Sequence, residues 1–140
     1  MTGELFINGK DAWTEWGINM GKGFKDTLDS FVPLKDYITN ESALEHGRQV
    51  LFEVLPKVNY REFTLQFMLL GTDADDFREK RKAFEAELQK GRVDLVVPSL
   101  GNEVYKLVYL GKNITYAMNR KGNFGTVAAR FEEPNPTDRA

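Results

Sequence analysis

The sequence predicts an α+β domain, a mainly antiparallel split β-barrel or β-sandwich with one flanking α-helix at about residues 73–90. Three observations carry this expectation. Apolar residues alternate with a period of two through much of the chain, the period switches once to about 3.6, and it then returns to two. Strands, one helix and strands again, segregated rather than interleaved, imply an antiparallel sheet or open barrel with a helix packed across it.

The elements follow in order. Leu5-Phe6-Ile7, Asn8-Gly9 and Lys10-Asp11 spell a tight hairpin, because asparagine and glycine both tolerate the positive φ angles of a type I′ turn. Trp13, Trp16 and Ile18 lead through a glycine-broken stretch, Gly17 to Gly23, into a loop-rich segment at 29–42. Val50, Phe52 and Val54 alternate with Leu51 and Glu53 up to Pro56, which has no N–H for a ladder and ends the strand. Arg61 to Leu70 is the next strand, with Phe63, Leu65, Phe67 and Leu69 on the face that belongs to the core. The helix follows, capped by Thr72 or Asp73, with Asp75 and Asp76 in its first turn, Lys90 at its end and Gly91 in the closing position. Its apolar stripe, Ala74, Phe77, Phe84 and Leu88, is narrow, so one side lies on a sheet and the rest is solvated. Val93–Val97, Val104–Leu110, Ile114–Met118 and Phe124–Phe131 read as strands, with turns at Gly111-Lys112 and Asn119–Asn123.

At 140 residues the chain reads as a single domain, 1–140, with an arm at about 29–42 and a short carboxy-terminal tail, 133–140. It contains no cysteine and one histidine, which excludes disulfides, thiolate chemistry and imidazole-cluster metal sites. Nineteen basic residues face 21 acidic ones, so there is no net field of the kind that collects nucleic acid or anionic lipid. The amino terminus lacks the basic start and apolar run of a secretory signal, and no apolar stretch approaches the length of a membrane span. No cofactor and no membrane partner are expected.

Few residues are equipped for chemistry. His46 sits beside Glu45, but neighbours on a strand point to opposite faces and cannot work as a base and its orienting carboxylate. Ser42 lies outside any nucleophile-elbow context, and Gly47 marks a bend. Asp73, Asp75 and Asp76 lack the rest of a calcium loop and are explained by the start of the helix. Gly17, Gly21, Lys22 and Gly23 lack the ending of a phosphate loop. A small β-barrel module for oligonucleotide or glycan remains an alternative, through Tyr105, Tyr109 and Tyr116 with Lys112, Arg120 and Lys121, or through Trp13 and Trp16. A hydrolase centred on His46 ranks behind it.

Apolar residues on second strand faces are harder to accommodate. Leu51, Met68, Leu70, Val108 and Leu110 share faces with polar neighbours, and one amphipathic helix cannot cover both sides of a sheet. Either a second sheet or a neighbouring subunit must hide them. The candidate interface is therefore Leu51, Met68 and Leu70, together with Phe31, Val32, Leu34 and Tyr37 of the arm.

Taken in order, LFINGKDAWTEWGI, PLKDYITNESALEHGRQVL, REFTLQFMLLG, DADDFREKRKAFEAELQKG and FEEPNPTDR resemble small tail proteins of phages and prophages in gut bacteria. The chain is similar over nearly its whole length to the ring-forming amino-terminal domain of the siphophage distal tail protein. That resemblance implies a split β-barrel or sandwich with a flanking helix, related to tail-tube proteins. It also implies a closed homo-oligomeric ring, commonly sixfold, between the tail tube and the tip or hub, with the tape-measure protein as a further neighbour. DNA would pass through the lumen without sequence-specific contact, and the ring would be assembled in the bacterial host cytoplasm and reside in the virion tail. The family often appends a carbohydrate-binding-like domain, whereas this sequence ends soon after Pro134-Asn135-Pro136. The resemblance brings no catalytic residues with it.

Overall fold

The computed structural model describes residues 2–35, 39–41, 48–50 and 57–140. The hairpin forms as expected, β1 (Phe6–Ile7) with β2 (Lys10–Asp11), and Asn8 and Gly9 take φ of 52° and 80°. Asp11 ends the hairpin and caps α1 (Ala12–Trp16), its carboxylate accepting from the N–H groups of Trp13 and Thr14. Then come β3 (Ile18–Met20) and α2 (Phe24–Leu28). These short elements were not legible in the sequence, because five residues make less than two helical turns and leave no 3.6-residue period.

Within the segment read as loop, β4 (Thr39–Glu41) pairs with β5 (Arg48–Val50) in a separate two-stranded sheet. The strand expected from Val50 onward thus starts earlier, and its continuation towards Pro56 lies outside the described residues. The remaining elements match their expected places: β6 (Arg61–Leu70), α3 (Ala74–Leu88), β7 (Arg92–Val96), β8 (Tyr105–Tyr109), β9 (Thr115–Met118) and β10 (Phe124–Glu133). Asp73 rather than Thr72 caps α3, accepting from Asp76 N at 2.8 Å, while Thr72 N donates to the Asp76 carboxylate at 2.9 Å. The Thr72 N–H and the Lys80 ammonium hold the Asp76 carboxyl below its ordinary value.

One eight-stranded antiparallel sheet runs β2-β1-β7-β8-β10-β6-β3, with β9 paired to β10 beside β8, and curls into an open half-barrel. Its spine is β6 against β10, in register from Phe124 opposite Leu70 to Glu133 opposite Arg61. The inner face is covered by all three helices, not by α3 alone: Trp16, Phe24, Leu28, Phe77, Phe84 and Leu88 join Phe63, Leu65, Phe67 and Leu69 in one core. Ala74, placed on the apolar stripe by the sequence, is exposed, and Glu87 is buried instead.

Phe67 lies at the centre. Its ring centroid is 5.2 Å from that of Phe24, 5.3 Å from Phe84 and 6.0 Å from Phe131, all edge-on, so one side chain joins α2, α3 and β10. Gly71 lets α3 turn directly back onto the sheet, since a Cβ there would stand 2.6 Å from the Phe77 backbone. The far end of α3 is tied to the hairpin by Asn8, whose Nδ2 donates to Glu87 Oε2 at 2.8 Å and whose Oδ1 accepts from Asp94 N at 2.8 Å.

Phe67→Ala is expected to lower unfolding free energy by roughly 3–5 kcal/mol in denaturant titration, because it empties the junction of three elements. Burial pushes the Glu87 carboxyl up, but the bonds from Asn8 and Lys90 and the charges of Lys90 and Lys10 outweigh burial, leaving it below its ordinary 4.5. A lowered folded-state pKa stabilises above the unfolded value and is lost as pH falls through the folded one. The stability gap between wild type and Glu87→Gln, measured in urea, should hold above about pH 5 and shrink steadily below it.

Candidate assembly surface

Two features of the half-barrel stand out: a charged cluster that fixes the start of the arm, and an apolar outer face that is partly exposed. The cluster lies at the Arg61 end of the spine, on the inner side. Arg61 and Glu133 face each other across β6 and β10, 4% and 0% exposed. Arg61 Nε donates to Glu133 Oε1 at 2.8 Å, and Nη2 stands 2.6 Å from the same oxygen, in charge contact but out of line for a second bond. Arg139 closes the other side, donating from Nε to Glu133 Oε2 at 2.9 Å and from Nη1 to Glu103 at 3.1 Å. The bonds to Glu133 and Glu103 outweigh burial and raise the Arg139 pKa further above its already high ordinary value.

Arg61 Nη1 reaches Ser30, at 3.0 Å from its carbonyl and 3.1 Å from its hydroxyl. One buried carboxylate therefore holds the sheet and the carboxy-terminal tail directly, and through Arg61 the chain at Ser30. The segment is held again on the far side, where Leu34 bridges to Val58, Lys35 N donates to Lys57 O and Asn59 N donates to Pro33 O, both at 2.9 Å. Between these anchors Phe31 is wholly exposed and Val32 is half-buried, and Leu34 itself is 47% exposed.

On the outer face, register alternation places Met68 opposite Thr126 and Leu70 opposite Phe124. Leu70 is 40% exposed, Phe124 36%, and Met68 is half-buried. Val108, on the same face, is also exposed, while Leu110 beyond the end of β8 is half-buried. Leu70, Phe124 and Val108 thus leave part of this face open to solvent. Phe124 was missed as a surface residue, since it opens a strand whose other large residues point inward. Its pairing with Leu70, 54 positions away, is what reveals it.

Leu51 and Tyr37 of the expected interface lie outside the described residues, as do Ser42, Glu45 and His46. The aromatic alternative fares unevenly: Tyr105 and Trp16 belong to the core, Tyr109 is half-buried against Phe131, and Tyr116 is exposed with Arg81 over its ring at 5.3 Å. Burial raises the pKa of Tyr105 and Tyr109. The tyrosines thus form no open stacking platform. No three potential metal ligands converge among the described residues, and no helix there is long and apolar enough to cross a membrane.

No protein-family model and no curated protein matches the chain. The fold, however, is shared with a solved phage tail protein. It is similar to the crystal structure of the Dit protein of phage SPP1, described as a paradigm of the hub adsorption apparatus in phages that infect Gram-positive bacteria. The TM-score is 0.60 at 14% identity, over 95% of this chain and 50% of that one. The chain thus spans about half the length of this relative, and the Dit-like fold implied by the sequence resemblance is the one it adopts.

Truncating one member of the buried cluster strands the others. Glu133→Ala is expected to lower unfolding free energy by about 3–5 kcal/mol, because it leaves Arg61 buried without a counter-charge. Hydrogen exchange at Ser30 and the neighbouring amides should accelerate in the same variant, a change that a purely local loss would not produce.

Proposed function

We propose that the chain is a structural component of a phage or prophage tail, building a homo-oligomeric ring or adaptor between tail tube and tip, with no catalytic step of its own. The observation that supports this most is the Dit-like fold across 95% of the chain. The second support is physical: an apolar outer face with Leu70 and Phe124 exposed beside a half-buried Met68, together with a doubly anchored arm that presents Phe31 and Leu34 to solvent. Residues 1–140 act as one ring-building domain with an arm at about 29–42 and a tail at 133–140. Leu51, Met68, Leu70, Phe31, Val32, Leu34 and Tyr37, joined by Phe124, form subunit contacts. The other partners are tail proteins, namely tube, tape measure and tip or hub. The ring is assembled in the bacterial cytoplasm, resides in the virion tail, and lets DNA pass without reading its sequence.

The test is Leu70→Glu, followed by light scattering after size exclusion. Leu70 is already 40% exposed, so the isolated fold should keep its circular dichroism and melting temperature. In a ring the same change buries an unpaired charge at a cost of several kcal/mol, and the assembly should dissociate. A variant that assembles like the wild type would remove this face from the interface.

A further inference from the structure

We infer that Phe31 of one copy inserts into a cleft on the inner side of the next copy, between α3 and β9, so that the contact is head-to-tail. The inference rests on the ring reading and names the surface that receives the arm. The cleft has a volume of about 100 Å³ and is walled by Leu69, Phe84, Tyr109, Ile114, Tyr116 and Val127. Its mouth carries Arg81 and Glu85, an ion pair at 3.6 Å along the exposed side of the helix. Ile114 and Tyr116 are 48% and 42% exposed, so the apolar wall is wet. A cavity of ~150 Å³ accommodates benzene, and a cleft somewhat smaller and open at one side suits a ring entering edge-first.

Phe31 has the complementary properties. It is a fully exposed aromatic held between two anchors, Ser30 on Arg61 and Leu34 on Val58, so little ordering is needed to present it. The charges around it also match: exposed Asp29 and Lys35 flank Phe31 with opposite signs, as Arg81 and Glu85 flank the cleft. Asp29 meets Arg81 and Lys35 meets Glu85 when the two are docked.

The chain cannot satisfy itself. Phe31 stands wholly exposed, outside its own cleft, and Ser30 is fixed to Arg61, whereas the cleft runs from Tyr109, level with Phe63, to Leu69, eight residues beyond Arg61 and about 26 Å along β6 at 3.3 Å per residue. One residue of chain beyond Ser30 does not span that distance. A projection and a receptor at separate places on one subunit make a heterologous contact, which closes into a ring when the rotation permits.

The chain has no cysteine, so the test can be made by crosslinking. Full-length Phe31→Cys and Tyr116→Cys chains are prepared separately, mixed and oxidised, with Ile114→Cys as a second partner and Thr64→Cys, on the outer face, as control. The expected result is a disulfide-linked heterodimer with Tyr116→Cys or Ile114→Cys and none with Thr64→Cys. Phe31→Glu should weaken self-association at least about thirtyfold, the scale of a central aromatic anchor. If the wild type assembles but Phe31→Cys links no better to the cleft than to Thr64→Cys, this inference falls and the ring reading stands. A wild-type chain that stays monomeric at every concentration overturns both.

Discussion

The edge-on packing of Phe67 is the contact on which the other elements depend. A sheet of this curvature has an inner face that three separate helices must share, and α1 and α2 are far too short to be stable alone. Phe67 stands where α2, α3 and β10 meet, so these two helices are ordered by the same ring. Trp16 extends the cluster to α1 through Phe84, and Tyr109 extends it to β8 through Phe131. The half-barrel is thereby a rigid support, and its two ends can be assigned different work.

At one end that work is electrostatic. Burying Arg61 and Glu133 is not a favourable route to stability, because desolvation offsets most of the attraction. The pair has a geometric consequence that apolar residues would lack: it orients Ser30 and receives Arg139, coupling the arm's first residues to the tail. Two segments remote in sequence are thus held to one carboxylate, and the exposed Phe31 next to Ser30 is held in a defined place.

The proposed role, holding copies of one chain in register, would need little reactive chemistry and much shape. The distribution of side chains fits that demand. Charge is concentrated in local pairs along α3 and across β6 and β10, while large apolar groups are left outside at Leu70, Phe124, Val108 and Phe31. Exposing such groups is unfavourable for a solitary chain, and in the proposed ring covering them with identical chains would turn the penalty into association free energy.

The sequence by itself determined the elements whose signal is periodic or carried by turn chemistry. The alternation from Phe63 to Leu69 placed the core face of β6, Asn8-Gly9 placed the hairpin, and Asp73 to Gly91 bounded α3, because each depends on residues a few positions apart. It also showed, through the surplus at Met68 and Leu70, that one helix could not cover both faces of the sheet. Tertiary structure decided everything that requires distant residues to meet. α1 and α2 exist because the core holds them, Glu87 is buried because Asn8 and Lys90 reach it, and Arg61 finds Glu133 72 positions away. Phe124 joins the outer face because its strand registers with Leu70, and the cleft beside Tyr116 exists because β9 pairs with β10 next to α3. Local pattern specifies backbone conformation over one or two turns of chain; which side chains share a face, a charge or a cavity is set by how the strands register and the sheet curls.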